Sequence, residues 1–242
     1  MQKTDSKIEY PMRLNRYLAL NGYCTRREAD GLIESGQVTV NDKIAKVGMK
    51  VVETDEIKVS KKAKNLSKQY VYFAYNKPRG IVTHSPEENQ KSIQQVAKVP
   101  KDVFPVGRLD RDSHGLILLT NDGRITDKLL NPNNEHEKEY SVRVNKPITN
   151  IFLKVLARGV QLEDYKTKPC TTEKVDDFTF KIILKEGKKH QIRRMCAAFG
   201  FAVSDLRRNR IMSVRLKGLK VGQARRLQGE ELKKILASLK LA

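Results

Sequence analysis

Within the stretch FPVGRLDRDSHGLILLTNDG, residues 104–123, one carboxylate stands where packing alone would not place it. Asp110 follows a short apolar approach (Val103, Phe104, Val106) and a glycine. It precedes the polar run Asp112, Ser113, His114 and Gly115, after which Leu116–Leu119 reads as a buried strand. The chain is therefore expected to turn sharply at Asp110. Arg108 and Arg111 flank it, and nearby positive charge favours the ionised carboxylate, the form required of a nucleophile or base and not of a proton donor. The spacing alone favours the plainer reading of a solvated loop closed by an Asx-turn.

Other chemistries are less well supported. Asp110, Asp112 and Asp122 could together serve metal-dependent phosphoryl transfer, but no phosphate-cradling glycine loop accompanies them. Cys24, Cys170 and Cys196 are far apart, form no CxxC pair and have no histidine at ligand spacing, so neither a disulfide framework nor a zinc site is expected. No dinucleotide fingerprint is present, and no metal or cofactor is expected.

The charge balance points to a polyanion. The 242 residues hold 48 Lys and Arg against 28 Asp and Glu, a net charge of +20, which suits nucleic acid better than a small metabolite. The excess is uneven: residues 179–242 hold 17 basic and 4 acidic residues, whereas residues 71–178, which include Asp110, hold 17 and 15. This pattern reads as a reactive site flanked by a clamp for a phosphate backbone. No apolar run is long enough to span a bilayer, and the start MQKTDSKIEY lacks the apolar segment of a signal peptide, so a cytosolic monomer is expected.

The elements that must position Asp110 can be read in order. Residues 1–11 form a polar lead-in ending at Pro11, and residues 12–59 form a small unit. In that unit Leu14, Tyr17 and Leu18 recur at helical spacing, and Thr25-Arg-Arg-Glu28 reads as a capping box opening a second helix with Ala29, Leu32 and Ile33 on its apolar face. QVTV, a turn at Asn41-Asp42, KIAKVGMKV and DEIKV follow as short strands. Arg13, Arg16, Arg26 and Arg27 lie on or beside the two helices, off the apolar positions, and can present guanidinium groups to phosphates.

Residues 60–69 are lysine-rich and polar, without periodicity, and read as a linker to a larger unit at 70–242. VYFAY opens that unit as a buried strand, and Asn76-Lys-Pro-Arg-Gly80 turns the chain, leaving Lys77 and Arg79 at the turn. Short helices are expected at 125–130 and 151–156, and alternating strands at HEKEYSVRV and 178–184. In GKKHQIRRMCAAFG, Ile192, Met195, Cys196 and Phe199 fall at i, i+3, i+4 and i+7, so a helix buries that face and turns Arg193 and Arg194 off it. The fold class is α+β: a small helical and stranded unit, then a catalytic unit on a mixed, mainly antiparallel sheet.

Two resemblances sharpen these expectations. GRLD, followed by Asp112, Ser113, Gly115 and LILLTNDG, resembles the signature of the RNA pseudouridine synthases of the small-subunit type, and NKPRGIV, HEKEY and HQIRRM are similar to the F-type branch that acts on the large ribosomal subunit. RLNRYLALNGYCTRREADGLIESGQVTVNDK resembles the S4 RNA-binding domain. The family resemblance implies conversion of uridine to pseudouridine in RNA without cofactor or metal, with Asp110 as the essential aspartate, Arg193 as its ion-pair partner and Tyr140 stacked beside the target base. Lys77, Arg79 and Arg108, and with the basic tail Arg194, Arg207, Arg208 and Arg210, are expected to contact RNA, and the resemblance implies that the RNA is ribosomal, with tRNA as the alternative. A reading from another class is an RNA-binding or ribosome-assembly protein in which GRLD is only a turn.

Overall fold

The computed structural model describes residues 10–24, 26–60 and 69–241, and the chain divides into two compact units, Met1–Tyr70 with Asp122–Arg124, and Val71–Asn121 with Ile125–Ala242. Most of the expected lead-in, Thr25 of the expected capping box and residues 61–68 of the expected linker lie outside the described residues. No helix among the described residues is long and apolar enough to cross a membrane.

The smaller unit runs β1 (Met12–Arg13), α1 (Leu14–Leu20), α2 (Arg26–Glu34), β2 (Val38–Val40), β3 (Lys43–Ile44), β4 (Lys50–Val51) and β5 (Ile57–Val59). β2 pairs antiparallel with both β3 and β5, and β1 pairs with β4. Asn41 and Asp42 take φ of 50° and 63° at the β2–β3 hairpin, the left-handed pair that matches strand twist and that Asn and Asp tolerate. Leu14, Leu18, Ala29, Ile33, Val38 and Val51 form the core, so the helical and alternating periods of the sequence converge on one cluster.

The larger unit is built on nine strands: β6 (Tyr72–Lys77), β7 (Phe104–Val106), β8 (His114–Thr120), β9 (Lys138–Val144), β10 (Thr171–Lys174), β11 (Thr179–Leu184), β12 (Val203–Ile211), β13 (Val214–Arg215) and β14 (Ala224–Arg226). Their order is β10-β11-β9-β12-β8-β6-β14, with β13 on β12 and β7 on β8. Only β12 and β8 pair in parallel, so the sheet is mixed and mainly antiparallel, as expected. Tyr75, Ile117, Leu119, Val142, Phe180, Ile182, Met195 and Leu206 lie in its core cluster, each large side chain worth about 1.5–3 kcal/mol on burial.

β8 is the strand that places the site. β6 pairs along most of its length, while β7 pairs at Leu118–Thr120 and β12 only at His114 and Gly115. The hairpin loop between β7 and β8, residues 107–113, therefore emerges where β12 comes alongside. Gly115 permits that approach: its φ is +102°, and a Cβ there would meet the Arg208 carbonyl oxygen at 2.3 Å.

Candidate active site

The 107–113 loop carries Asp110 and is held from below by the turn after β6. The Thr83 hydroxyl donates to the Leu109 carbonyl at 2.7 Å and accepts from the Leu109 amide at 3.1 Å. The Gly80 amide donates to the Arg111 carbonyl at 2.9 Å, and the Ser113 amide to the Asp110 carbonyl at 3.1 Å. Backbone bonds on both sides of Asp110 thus fix its main chain while its side chain keeps 37% of its surface exposed. A partly exposed carboxylate on a doubly anchored turn is more than the solvated Asx-turn that spacing alone favoured.

Lys77 differs from its expected role. It is fully buried, and its Nζ donates to the carbonyls of Pro78 at 2.9 Å, Ile81 at 2.6 Å and Arg111 at 3.4 Å. Its ammonium therefore ties the NKPRG turn to the Asp110 loop and is not available to an RNA phosphate. Burial, opposed by the charges of Asp110 and Asp112, lowers its pKa to about 8.

A cavity of about 400 Å³ opens beside Asp110, with Arg108, Lys138, Tyr140, His190 and Arg208 on its wall. Tyr140, 8% exposed, belongs both to the core and to this wall. His190 takes a left-handed φ of 52° before helix α3 (Gln191–Ala197) and brings Nε2 to 3.6 Å from the Asp110 carboxylate. Gln191, buried at the start of that helix, donates to Glu186 at 2.6 Å and accepts from the Lys188 amide at 3.0 Å, which fixes the segment bearing His190.

Arg193 was expected to pair with Asp110, and it forms no ion pair with it here. Its Nη1 donates to the Val203 carbonyl at 2.9 Å, turning the guanidinium toward β12. Arg194 pairs with Asp164. Arg208 and Arg210, expected at RNA phosphates, are 5% and 9% exposed. Arg208 donates Nε to the Leu116 carbonyl at 2.6 Å and Nη1 to the Arg108 carbonyl at 3.4 Å, bracing the Asp110 loop from the β12 side, and its Nη2 has no hydrogen-bond partner. Arg210 is bound by Glu137 at 2.9 Å and Glu139 at 3.1 Å.

Arg79 is exposed and bound to Asp205 and the Ser204 carbonyl, whereas Arg13, Arg26, Arg108 and Arg207 are exposed and Arg16 is partly so. Arg27 lies in α2, and its side chain is outside what is described. The acids of the metal reading do not act together: Asp122 is fully buried, its two oxygens engaged by Arg124 at 2.8 and 2.9 Å, while Asp112 is an exposed neighbour of Arg111. Thr83 and Lys138 were not singled out from the sequence. Lys138 lies two residues before Tyr140 on an alternating strand, a spacing that could have found it.

Comparison with known proteins places these features. Residues 71–198 match the family model described as RNA pseudouridylate synthase, and residues 12–57 match the S4 domain. The dual-specificity RNA pseudouridine synthase RluF of Escherichia coli (strain K12) is 44% identical over 91% of this chain and 77% of its own. The ribosomal large subunit pseudouridine synthase B of Bacillus subtilis (strain 168) is 35% identical over 93% and 96%. A crystal structure of a pseudouridylate synthase superposes with a TM-score of 0.68 at 31% identity, covering 94% of this chain and 99% of that one.

Proposed function

We infer the reaction from one premise: this chain belongs to the RNA pseudouridylate synthase family and carries an S4 domain. It isomerises uridine to pseudouridine in RNA, and we propose Asp110 as the group that acts on the sugar. The observation that supports this is the partly exposed Asp110 carboxylate beside a cavity with Tyr140 on its wall. A stacked uridine presents neither its sugar nor its ring edge to such a carboxylate, so the nucleotide must leave the helix, at a cost of a few kcal/mol, and enter the cavity.

In the reaction the C1′–N1 bond breaks and its electron pair leaves with the ring. Asp110 makes good the deficit on the sugar by bonding to C1′ or by removing the C2′ proton. The ring turns, C5 bonds to C1′ as the Asp110 step reverses, and the C5 proton is lost while N1 gains one. Atoms and electrons balance without a redox partner. Tyr140 stacks on the ring. Arg193 serves Asp110 as counter-ion only by exchanging its bond to Val203, and in the resting geometry His190 is the basic group within ion-pair range.

We propose large-subunit ribosomal RNA as the first substrate and tRNA as the second, because the relatives include a large-subunit enzyme and a dual-specificity one. Such substrates place the reaction in the cytoplasm. The test is carbodiimide-blocked primer extension on transcribed ribosomal RNA and tRNA incubated with the protein. Wild type is expected to introduce pseudouridine, and Asp110→Asn to lose turnover by several orders of magnitude with RNA affinity little changed. Unmodified uridines with bound RNA would establish the RNA-binding reading instead.

A further inference from the structure

We propose that Lys138 is a catalytic residue: its ammonium stabilises the uracil anion that leaves when the glycosidic bond breaks. The proposal rests on the reaction assigned above and adds the group that receives the charge. Asp110 faces the sugar half of the problem, yet bond cleavage leaves a negative charge spread over N1, O2 and O4 of the ring. A cavity that excludes water must supply a preorganised donor for that charge.

The geometry points to Lys138 in three ways. It lies on β9 opposite Leu184 of β11 and Ile211 of β12, and Tyr140, two residues on, lies opposite Ile182 and Arg208, so Lys138 and Tyr140 share the cavity face. Lys138 is therefore on the same wall as the ring expected to stack on the base. It is only partly exposed, unlike Arg108 and Lys189 at the same cavity, which are exposed and better placed for phosphates that stay in water. Its Nζ makes one hydrogen bond, to the His136 carbonyl at 3.3 Å, and an ammonium has three hydrogens to donate.

The charged groups that share its surroundings are Arg208 on β12, Arg108 and Asp110 on the hairpin loop, and Glu186, Lys188, Lys189 and His190 on the segment leading to α3. Burial first, and repulsion from Arg208 second, lower the Lys138 pKa to about 8. The ammonium therefore predominates at pH 7 and is lost as pH rises past that value. A stabiliser of the leaving ring needs the ammonium, whereas a base that removes the C5 proton needs the amine, so the two roles predict opposite pH limbs.

The experiment measures tritium release from RNA containing [5-³H]uridine, with the full chain and transcribed ribosomal RNA, at subsaturating and saturating RNA across pH 6 to 10. Wild-type kcat/KM should fall above pH of about 8, since that parameter reports groups of the free enzyme. Lys138→Met should lower kcat about a hundredfold, with KM within about threefold of wild type, and should lack that alkaline fall. Lys138→Arg should stay within about tenfold of wild type and remain active through the same range, because a guanidinium keeps its charge. A Lys138→Met enzyme within about threefold of wild type would overturn the proposal, as would a loss confined to KM, the mark of a phosphate contact. A wild-type rate that rises through pH 8 would overturn it too, by making the amine a base. Should Lys138→Met fail to fold, Lys138→Gln and the wild-type profile decide in the same way. Wild type that releases no tritium at any pH would instead remove the reaction on which the proposal stands.

Discussion

The two faces of the central strands β9 and β12 treat charge in opposite ways. On one face Arg210 lies between Glu137 and Glu139, and Arg215 approaches Glu139 at 3.8 Å, so each buried charge meets its opposite. On the other face, at the cavity, Arg208 is bound to the carbonyls of Leu116 and Arg108 and Lys138 to that of His136, with no carboxylate among the described residues in ion-pair range of either. Arg208 and Arg210 are two residues apart and would share a face on a regular strand, but a register shift between them sends the side chains to opposite sides. A buried cation paired with carboxylates stabilises the sheet, and underpaired cations at the cavity keep their potential for an anionic ligand or transition state.

The sharpest way to break this contrast is to remove each arginine in turn. Arg210→Met leaves Glu139 buried without its closest cation, and should destabilise the larger unit by about 3–5 kcal/mol while turnover per folded molecule stays near wild type. Arg208→Met leaves no carboxylate stranded. It removes the brace on the Arg108 and Leu116 carbonyls, so turnover should fall about a hundredfold with smaller loss of stability, as Asp110 loses its productive position. Chemical denaturation alongside single-turnover rates separates the two. Equal loss of activity in both variants at equal folded fraction would mean that the faces do not differ in function.

Tyr140→Phe probes the cavity face at one atom. The ring remains and RNA affinity should hold, while turnover should drop about a hundredfold if the hydroxyl moves the C5 proton. Unchanged turnover would confine Tyr140 to stacking and leave Lys138 and Asp110 as the polar groups of the reaction.

The sequence made some of this legible because period and chemistry agreed. The alternation of HEKEYSVRV, the helical spacing of Ile192, Met195 and Cys196, and the turn at Asp110 appear where local rules place them, whereas Phe199, expected on the same helical face, lies beyond the helix end at Ala197 and is 39% exposed. The cations were harder. Lys77 follows a buried strand at a Pro-Gly turn, where a lysine is ordinarily solvated, and only the crossing of two distant turns supplies the three carbonyls that bury it. Alternation alone could not separate Arg208 from Arg210, because the shift that separates them arises from pairing with β9 and leaves no mark in a single strand. Arg193 lies one residue after a buried helical position, so its direction depends on β12, 10 residues further on.

The same contrast predicts the salt dependence of RNA binding, where the effects are smallest. From sequence alone Arg194, Arg207, Arg208 and Arg210 were each expected to meet RNA, but Arg208 and Arg210 are buried and Arg194 is paired, whereas Arg207, next to Arg208, is exposed. Each phosphate contact to single-stranded RNA contributes about −0.7 to the slope of log affinity against log salt. Arg207→Ser should therefore flatten the slope by about 0.7 and weaken binding severalfold at low salt, whereas Arg210→Met should leave the slope unchanged at equal folded fraction. Filter binding across a salt series measures both. If Arg210→Met flattened the slope as much as Arg207→Ser, the carboxylates of Glu137 and Glu139 would not be keeping Arg210 from RNA, and the division between paired, stabilising cations and cations open to a ligand would have to be redrawn.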